Sequence, residues 1–294
     1  MNTAQSAVVT GATGGIGEAI ARRLAATGRS VVLVGRDAAR LAAVQRRIRD
    51  VVPDADLRAE LADLSLLNQV RALADRLDTT GIDIVISNAA VVAPLADHTS
   101  EGIQRTVATN HLAPYLLLRS LGESLAAAGR SARLVVVGAS PAALRRLPVN
   151  LDDPGLADER SIGVPPSFRP FVAYGRTKNM NAMFVYSLAQ RLAGSGVTVN
   201  GAHPGIIRNT GLGRESARGL LRAFAWTQWV NPLLPGPEAG ADTPVWLATA
   251  PDLEGVTGRF FVRRREVRTA PHTTDPARLD RLWDTSAALT GLPA

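Results

Sequence analysis

Tyr174 and Lys178 stand four residues apart in Tyr174-Gly175-Arg176-Thr177-Lys178, a spacing that a helix turns onto one face. A phenol beside an ammonium has the makings of a general acid and base. The positive charge favours the phenolate and draws the tyrosine pKa down from about 10 toward neutrality. The lysine is also the only one among 33 lysines and arginines. A chain that supplies arginine wherever a surface charge suffices has kept a compact ammonium at this position.

A second group of residues suits a phosphate. Thr10-Gly11-Ala12-Thr13-Gly14-Gly15-Ile16-Gly17 follows an apolar run and opens a helical pattern. Glycines let such a turn approach a pyrophosphate, whose charge the helix N-terminus stabilises, so Gly11, Thr13, Gly14, Gly15, Ile16 and Gly17 are assigned to a dinucleotide. An acidic residue at the end of the second strand would hold the ribose of NAD. Here Gly35 leaves room and Arg36 can grip a 2′-phosphate through two hydrogen bonds, which predicts NADP (NADPH) as the cofactor. Asp37 reads as the cap of the next helix.

Strands are expected at 7–10, 30–34, 57–62, 82–87, 134–138 and 197–202, with helices to about 26 and over 38–49, 66–77, around 101–125 and over 171–192. Strand–helix alternation with runs of β-branched residues predicts an α/β fold, a Rossmann-type doubly wound parallel sheet in three αβα layers. No repeat or linker divides it, so residues 1–294 are read as a single domain. Segments 141–170 and 208–237 lack periodicity and follow strands directly, where such sheets bind ligands. They are read as insertions over the active site. Trp226 and Trp229 in the second could serve packing or a substrate wall.

The motifs together resemble the short-chain dehydrogenase/reductases from Thr10 to about Phe261. The glycine turn is similar to the family's TGxxxGxG, and Asp63-Leu64 to the pair beside the adenine. Asn88-Ala89-Ala90 resembles NNAG, with Ser87 and Ala90 replacing its first asparagine and its glycine. Asn110 in Thr109-Asn110-His111 matches the helix asparagine that holds a water of the proton relay, Tyr174 and Lys178 match YxxxK, and Pro204-Gly205 resembles the turn beside the nicotinamide. The resemblance extends cofactor contact to Tyr174, Lys178, Ile207 and Thr210, and implies that Lys178 hydrogen-bonds the nicotinamide ribose.

Two subgroups are closer. Residues 86–91, 133–138 and 204–212 look like light-dependent protochlorophyllide reductase, although Ile206 replaces the cysteine of its turn. The insertion before Tyr174 and the ending Leu253-Glu254-Gly255-Val256-Thr257-Gly258 resemble retinol-dehydrogenase-type reductases. Both imply a bulky, largely apolar carbonyl or alkene substrate. Ketoreduction is therefore expected, with a non-redox enzyme or a cofactor-binding regulatory protein on the same fold as the alternatives.

The serine is the main departure. The family ends its fifth strand with Ser-Ser, whereas this chain reads Gly138-Ala139-Ser140. Ser140 is expected to contact the substrate oxygen, but a slip of one residue would put Ala139 there. The predicted catalytic set is Asn110, Ser140, Tyr174 and Lys178.

The net charge of +7 comes from arginines spread along amphipathic helices without interleaved aromatics, so nucleic acid is not expected as a partner. No apolar run reaches the length of a membrane span, no signal peptide is evident, and there is no cysteine, so a cytoplasmic protein without disulfides is expected. No cluster has metal-ligand spacing. His111 is expected to pack at a helix surface, His203 to line the cofactor turn by position only, and His98 and His272 to lie in loops without partners. Asp152-Asp153 and Asp158-Glu159 are read as solvated charges. The resemblance implies a homodimer or homotetramer built on the Tyr174 helix, a surface that the long loops could also block.

Overall fold

The computed structural model describes residues 5–77, 79, 81–157, 162–208, 231 and 233–294. Eight strands form one sheet in the order β3-β2-β1-β4-β5-β6-β7-β8. They are β1 (Ser6–Thr10), β2 (Ser30–Gly35), β3 (Leu57–Leu61), β4 (Ile82–Ser87), β5 (Ala132–Val137), β6 (Val197–His203), β7 (Arg259–Val262) and β8 (Arg265–Glu266). All pairs are parallel except β7 with β8. The doubly wound sheet inferred from the alternation is the architecture observed.

The central strands form because both of their faces are covered. In β1, Val8 joins a core with Val32, Leu112 and Leu116, while Ala7 and Val9 join a second core with Ile20, Leu24 and Val245. Residues of a strand alternate in direction, so an uninterrupted apolar run feeds two helical layers at once. On one side lie α1 (Gly15–Ala25), α2 (Ala38–Val51) and α8 (Pro237–Thr249). On the other lie α3 (Leu67–Arg76), α5 (Ala113–Ala127) and α7 (Arg169–Arg191). Asp37 caps α2 as expected, accepting from Arg40 N at 3.0 Å.

Three features depart from the sequence reading. The segment 141–170 is not wholly irregular: Pro141–Arg146 forms helix α6, Pro166–Phe168 a 3-10 turn, and α7 already begins at Arg169. Proline at a first helical position explains why a breaker-rich stretch still starts helices. The helix before β5 is interrupted. A short turn α4 (Arg105–Val107) passes into a π-helical segment, Ala108–Leu112, before α5. Finally, a C-terminal helix α9 (Pro276–Thr290), capped by Asp275 and ended by Gly291 in the left-handed conformation, lies against α7. Its Leu279 and Leu282 meet Met180 and Met183 of α7 and Val149 and Leu151 of the preceding loop.

Candidate active site

The sheet order reverses between β1 and β4, and a crevice opens at their carboxyl ends. Thr10 and Asn88 close its floor. Thr10 Oγ1 accepts from the N–H groups of Asn88 and Ala89 at 3.0 and 3.1 Å, while Asn88 Nδ2 donates to the Thr10 carbonyl at 3.1 Å. This clamp holds the glycine turn against the end of β4.

Two of the turn's glycines have no alternative. A Cβ on Gly17 would sit 2.2 Å from the Gly11 carbonyl oxygen and 2.7 Å from Asn88 Nδ2. A Cβ on Gly11, whose φ is +66°, would sit 2.8 Å from Ala89 Cα. Above them the turn is open, since nothing lies within 4 Å of a Cβ built on Gly14. Gly15 and Ile16 begin α1, whose first N–H groups face this opening. A helix N-terminus of this kind can present backbone donors to an anion.

The other cofactor candidates follow the carboxyl ends of β2, β3, β4 and β6. Arg36 is exposed just past the end of β2, beside Gly35, where any Cβ would meet Thr13 Cγ2 at 2.5 Å. Asp63 makes a local turn, its Oδ1 accepting from Ser65 N at 2.9 Å. Leu64 and Ala89 line one narrow recess with Ser87 and Thr109, and Ala90 is half-buried beyond them. Pro204 and Gly205 follow β6, and the Ile207 side chain comes within 3.0 Å of the Cβ position of Gly240 on α8. Ile16 reaches that point at 2.9 Å, so the two ends of the predicted cofactor site meet there. Thr210 lies outside the described residues, as do Trp226, Trp229, Asp158 and Glu159. These residues fit a dinucleotide with an anionic group near Arg36.

On α7, Tyr174 and Lys178 share a face as the spacing requires, with the Lys178 nitrogen 5.5 Å from the phenol ring centre. Lys178 is buried and donates to the Val137 carbonyl at 3.0 Å, which anchors it beneath the end of β5. The pKa expectation needs correction. Burial pushes the Tyr174 hydroxyl up to about 12 and the Lys178 ammonium down to about 8. Removing a phenol and an ammonium from water disfavours the charged form of each.

Asn110 lies in the π-helical segment that leads into α5. Its side chain is fully engaged: Oδ1 accepts from Val91 N at 2.8 Å, and Nδ2 donates to the Val91 carbonyl at 2.8 Å and to Thr177 Oγ1 at 3.2 Å. Thr177 Oγ1 in turn donates to the Tyr174 carbonyl at 2.7 Å. Thr177 therefore splices the Asn110 turn to the Tyr174 turn. It was not singled out from the sequence, although its position three residues after Tyr174 is the spacing of a hydroxyl that bonds back within a helix.

A Cβ on Gly138 would meet the Phe260 ring, whose Cζ lies 2.8 Å away. Ala139 packs against the apolar cluster of Leu144, Ala182 and Phe260. Ser140 is the N-cap residue of α6, yet its hydroxyl makes no capping bond.

The histidines depart in part from the sequence expectation. His111 is not at a helix surface but fully enclosed, between Asn181 and Ser286. His272 is not without a partner, since its Nε2 lies 2.9 Å from Asn179 Oδ1, and His98 Nδ1 lies 3.2 Å from the Ala96 carbonyl. His203 has a buried Nδ1 without a hydrogen bond among the described residues, and burial lowers its pKa. Asp152 is exposed, but pairs with Arg281 of α9 at 2.5 Å.

Comparison with known proteins agrees with this geometry. The short chain dehydrogenase family matches residues 5–150. Mouse retinol dehydrogenase 14 is 32% identical, with 98% of this chain and 86% of that protein aligned. DnrU of Streptomyces sp. (strain C5), described as a daunorubicin C-13 ketoreductase, is 35% identical over 98% of this chain and 93% of its own. Among solved structures, a metagenomic short-chain oxidoreductase in complex with NADP is 26% identical, with a TM-score of 0.58, and the match covers 90% of this chain and 97% of that one.

Proposed function

The chain belongs to the short-chain dehydrogenase family, and on that premise we propose that it is an NADP(H)-dependent oxidoreductase reducing a ketone or aldehyde on a bulky, largely apolar small molecule. The observation that carries this reading is the juxtaposition of Tyr174 and Lys178, with Lys178 anchored on the last residue of β5, a strand of the sheet whose first strand runs into the glycine turn. Bound NADPH would supply the hydride that reduces the carbonyl carbon.

In this reading the protein's own groups do the rest. The glycine turn from Gly11 to Gly17 holds the pyrophosphate, Arg36 the 2′-phosphate, and Pro204, Gly205 and Ile207 border the nicotinamide. Ser140 donates to the carbonyl oxygen of the substrate. A hydroxyl unused by its own helix supports Ser140 over Ala139, whose methyl is packed in an apolar cluster. Tyr174 gives its proton to the same oxygen as negative charge develops there. A pKa of about 12 suits that direction, because the phenol stays protonated until the substrate oxygen needs the proton. Lys178 offsets the resulting phenolate charge, and Asn110 with Thr177 fixes the turn from which Tyr174 projects. The substrate class rests on the retinol and daunorubicin named in the two relatives and on the apolar side chains Ile206 and Phe168, exposed after β6 and just ahead of α7.

The test is oxidation of NADPH and of NADH against a panel of bulky ketones and aldehydes, with Tyr174→Phe in parallel. NADPH turnover is expected to exceed NADH turnover, and Tyr174→Phe to lose nearly all of it while still binding NADPH. Undiminished turnover by Tyr174→Phe would eliminate the mechanism, and NADPH binding without turnover of any carbonyl would favour a non-redox enzyme or a regulatory protein.

A further inference from the structure

The π-helical segment Ala108–Leu112 carries Asn110 and His111, and both are fully enclosed. The Asn110 amide is committed to Val91 and Thr177, so the polar group left to be directed is its main-chain carbonyl. That carbonyl accepts from Asn181 Nδ2 at 2.8 Å. With Nδ2 so used, the Asn181 atom facing His111 Nδ1 at 3.3 Å is Oδ1, which can only accept. The imidazole is neutral in ordinary buffers, because burial pushes its pKa down to about 4, and it therefore carries one ring hydrogen. That hydrogen must be on Nδ1. Nε2 is then an acceptor, and Ser286 Oγ on α9, 2.8 Å away, is its donor. The Ser286 hydroxyl also lies 2.7 Å from the Leu282 carbonyl, to which it could donate; its single hydrogen goes to Nε2 in this arrangement, and the Leu282 carbonyl is left to its backbone partner in the helix ladder.

The bonds all run in one direction, from Ser286 to His111, to Asn181, to the Asn110 carbonyl. Successive bonds of one sense polarise each other, and a buried chain of this kind is favourable only when every member is satisfied, as here. Its far end is not an arbitrary core carbonyl. It belongs to the residue whose amide holds Val91 and, through Thr177, the Tyr174 turn. A leucine would fill the same volume without fixing this carbonyl.

We propose that His111 is a positioning residue: through Asn181 it sets the direction of the Asn110 carbonyl and so couples the C-terminal helix α9 to the proton-transfer side of the Tyr174 site. The proposal rests on the oxidoreductase reading above.

His111→Leu removes the donor at similar bulk, and His111→Asn places an amide N–H where Nδ1 stood. With NADPH and a ketone turned over by the wild type, His111→Leu is expected to lose about tenfold or more in kcat while KM for NADPH changes by less than about twofold, and His111→Asn to recover most of the loss. Nitrogen NMR of the imidazole is expected to show the Nδ1–H tautomer. An Nε2–H tautomer would overturn the proposal. So would a His111→Leu chain that melts earlier yet keeps its kcat per folded molecule, since that is the signature of a merely structural residue. Should His111→Leu not fold, Ser286→Ala removes the first donor instead; a lower kcat at unchanged KM for NADPH supports the chain, and an unchanged kcat overturns it. Absence of wild-type turnover with every carbonyl would sink the oxidoreductase reading together with this proposal. Turnover that is indifferent to His111 would sink the proposal alone.

Discussion

At the scale of the residue, the Tyr174–Lys178 pair was legible because composition singled out the lysine and helical spacing put it beside the phenol. Its electrostatics were not legible, because desolvation depends on which atoms surround a group, and those come from distant parts of the chain. Lys178 is enclosed beneath β5, so its ammonium titrates near pH 8 instead of near its ordinary value of 10.5. The sign is that of a depressed lysine: the charge is present below about 8 and lost above it. For reduction, kcat/KM is therefore predicted to fall as pH rises through about 8, while Tyr174 remains a proton donor to about 12. A pH profile of kcat/KM for the wild type and Lys178→Met checks this, and an inflection that survives in Lys178→Met would assign the titration to another group. His111 shows the same limit from the other side. Its position after Asn110 suggested surface packing, and only the arrival of Asn181 and Ser286 from far along the chain encloses it.

At the scale of the element, strands β1, β2, β4, β5 and β6 were readable because a strand covered on both faces carries a nearly continuous apolar run. The glycine turn was readable because its geometry forbids side chains. Gly17→Ala brings a methyl against the Gly11 carbonyl oxygen and Asn88, so the turn must open. The predicted outcome is a loss of NADPH affinity of about tenfold or more, as expected for a binding loop displaced by about 1 Å. Fluorescence titration measures it, and wild-type affinity in a folded Gly17→Ala protein would remove the turn from the cofactor site. Other elements gave no such signal. Helix α8 contains Pro244 and little amphipathic contrast, β8 is two residues long, and a π-helical turn has no periodicity of its own in the sequence. Thr177 stayed hidden for a related reason, since a hydroxyl inside a helix is uninformative until its partner on another helix is known.

At the scale of the whole molecule, α9 acts as a strap across α5 and α7. Its Trp283 ring lies 4.5 Å from the Arg119 guanidinium and 4.0 Å from that of Arg191, and packs edge-on against Tyr115 at 5.0 Å. Arg71 adds a bond to the Thr290 carbonyl at 2.6 Å. Trp283→Ala is predicted to cost about 3–5 kcal/mol of stability, and a urea midpoint within error of the wild type would show that α9 is only loosely attached. Helix α9 covers α7 around Met180 and Met183. Among the described residues no helix is long and apolar enough to cross a membrane.

The Phe260 ring presses on Gly138 and on Gly201 at once, with carbons 2.8 and 2.4 Å from the two would-be Cβ atoms. It follows that a side chain cannot be added at position 138 by one exchange without displacing that ring. Gly138→Ser alone should destabilise, whereas Gly138→Ser made after Phe260→Leu should be tolerated, so the order of the two changes decides which path is open. A double-mutant cycle of unfolding free energies would read this dependence as a coupling between positions 138 and 260, and additive effects would mean that the ring does not gate position 138.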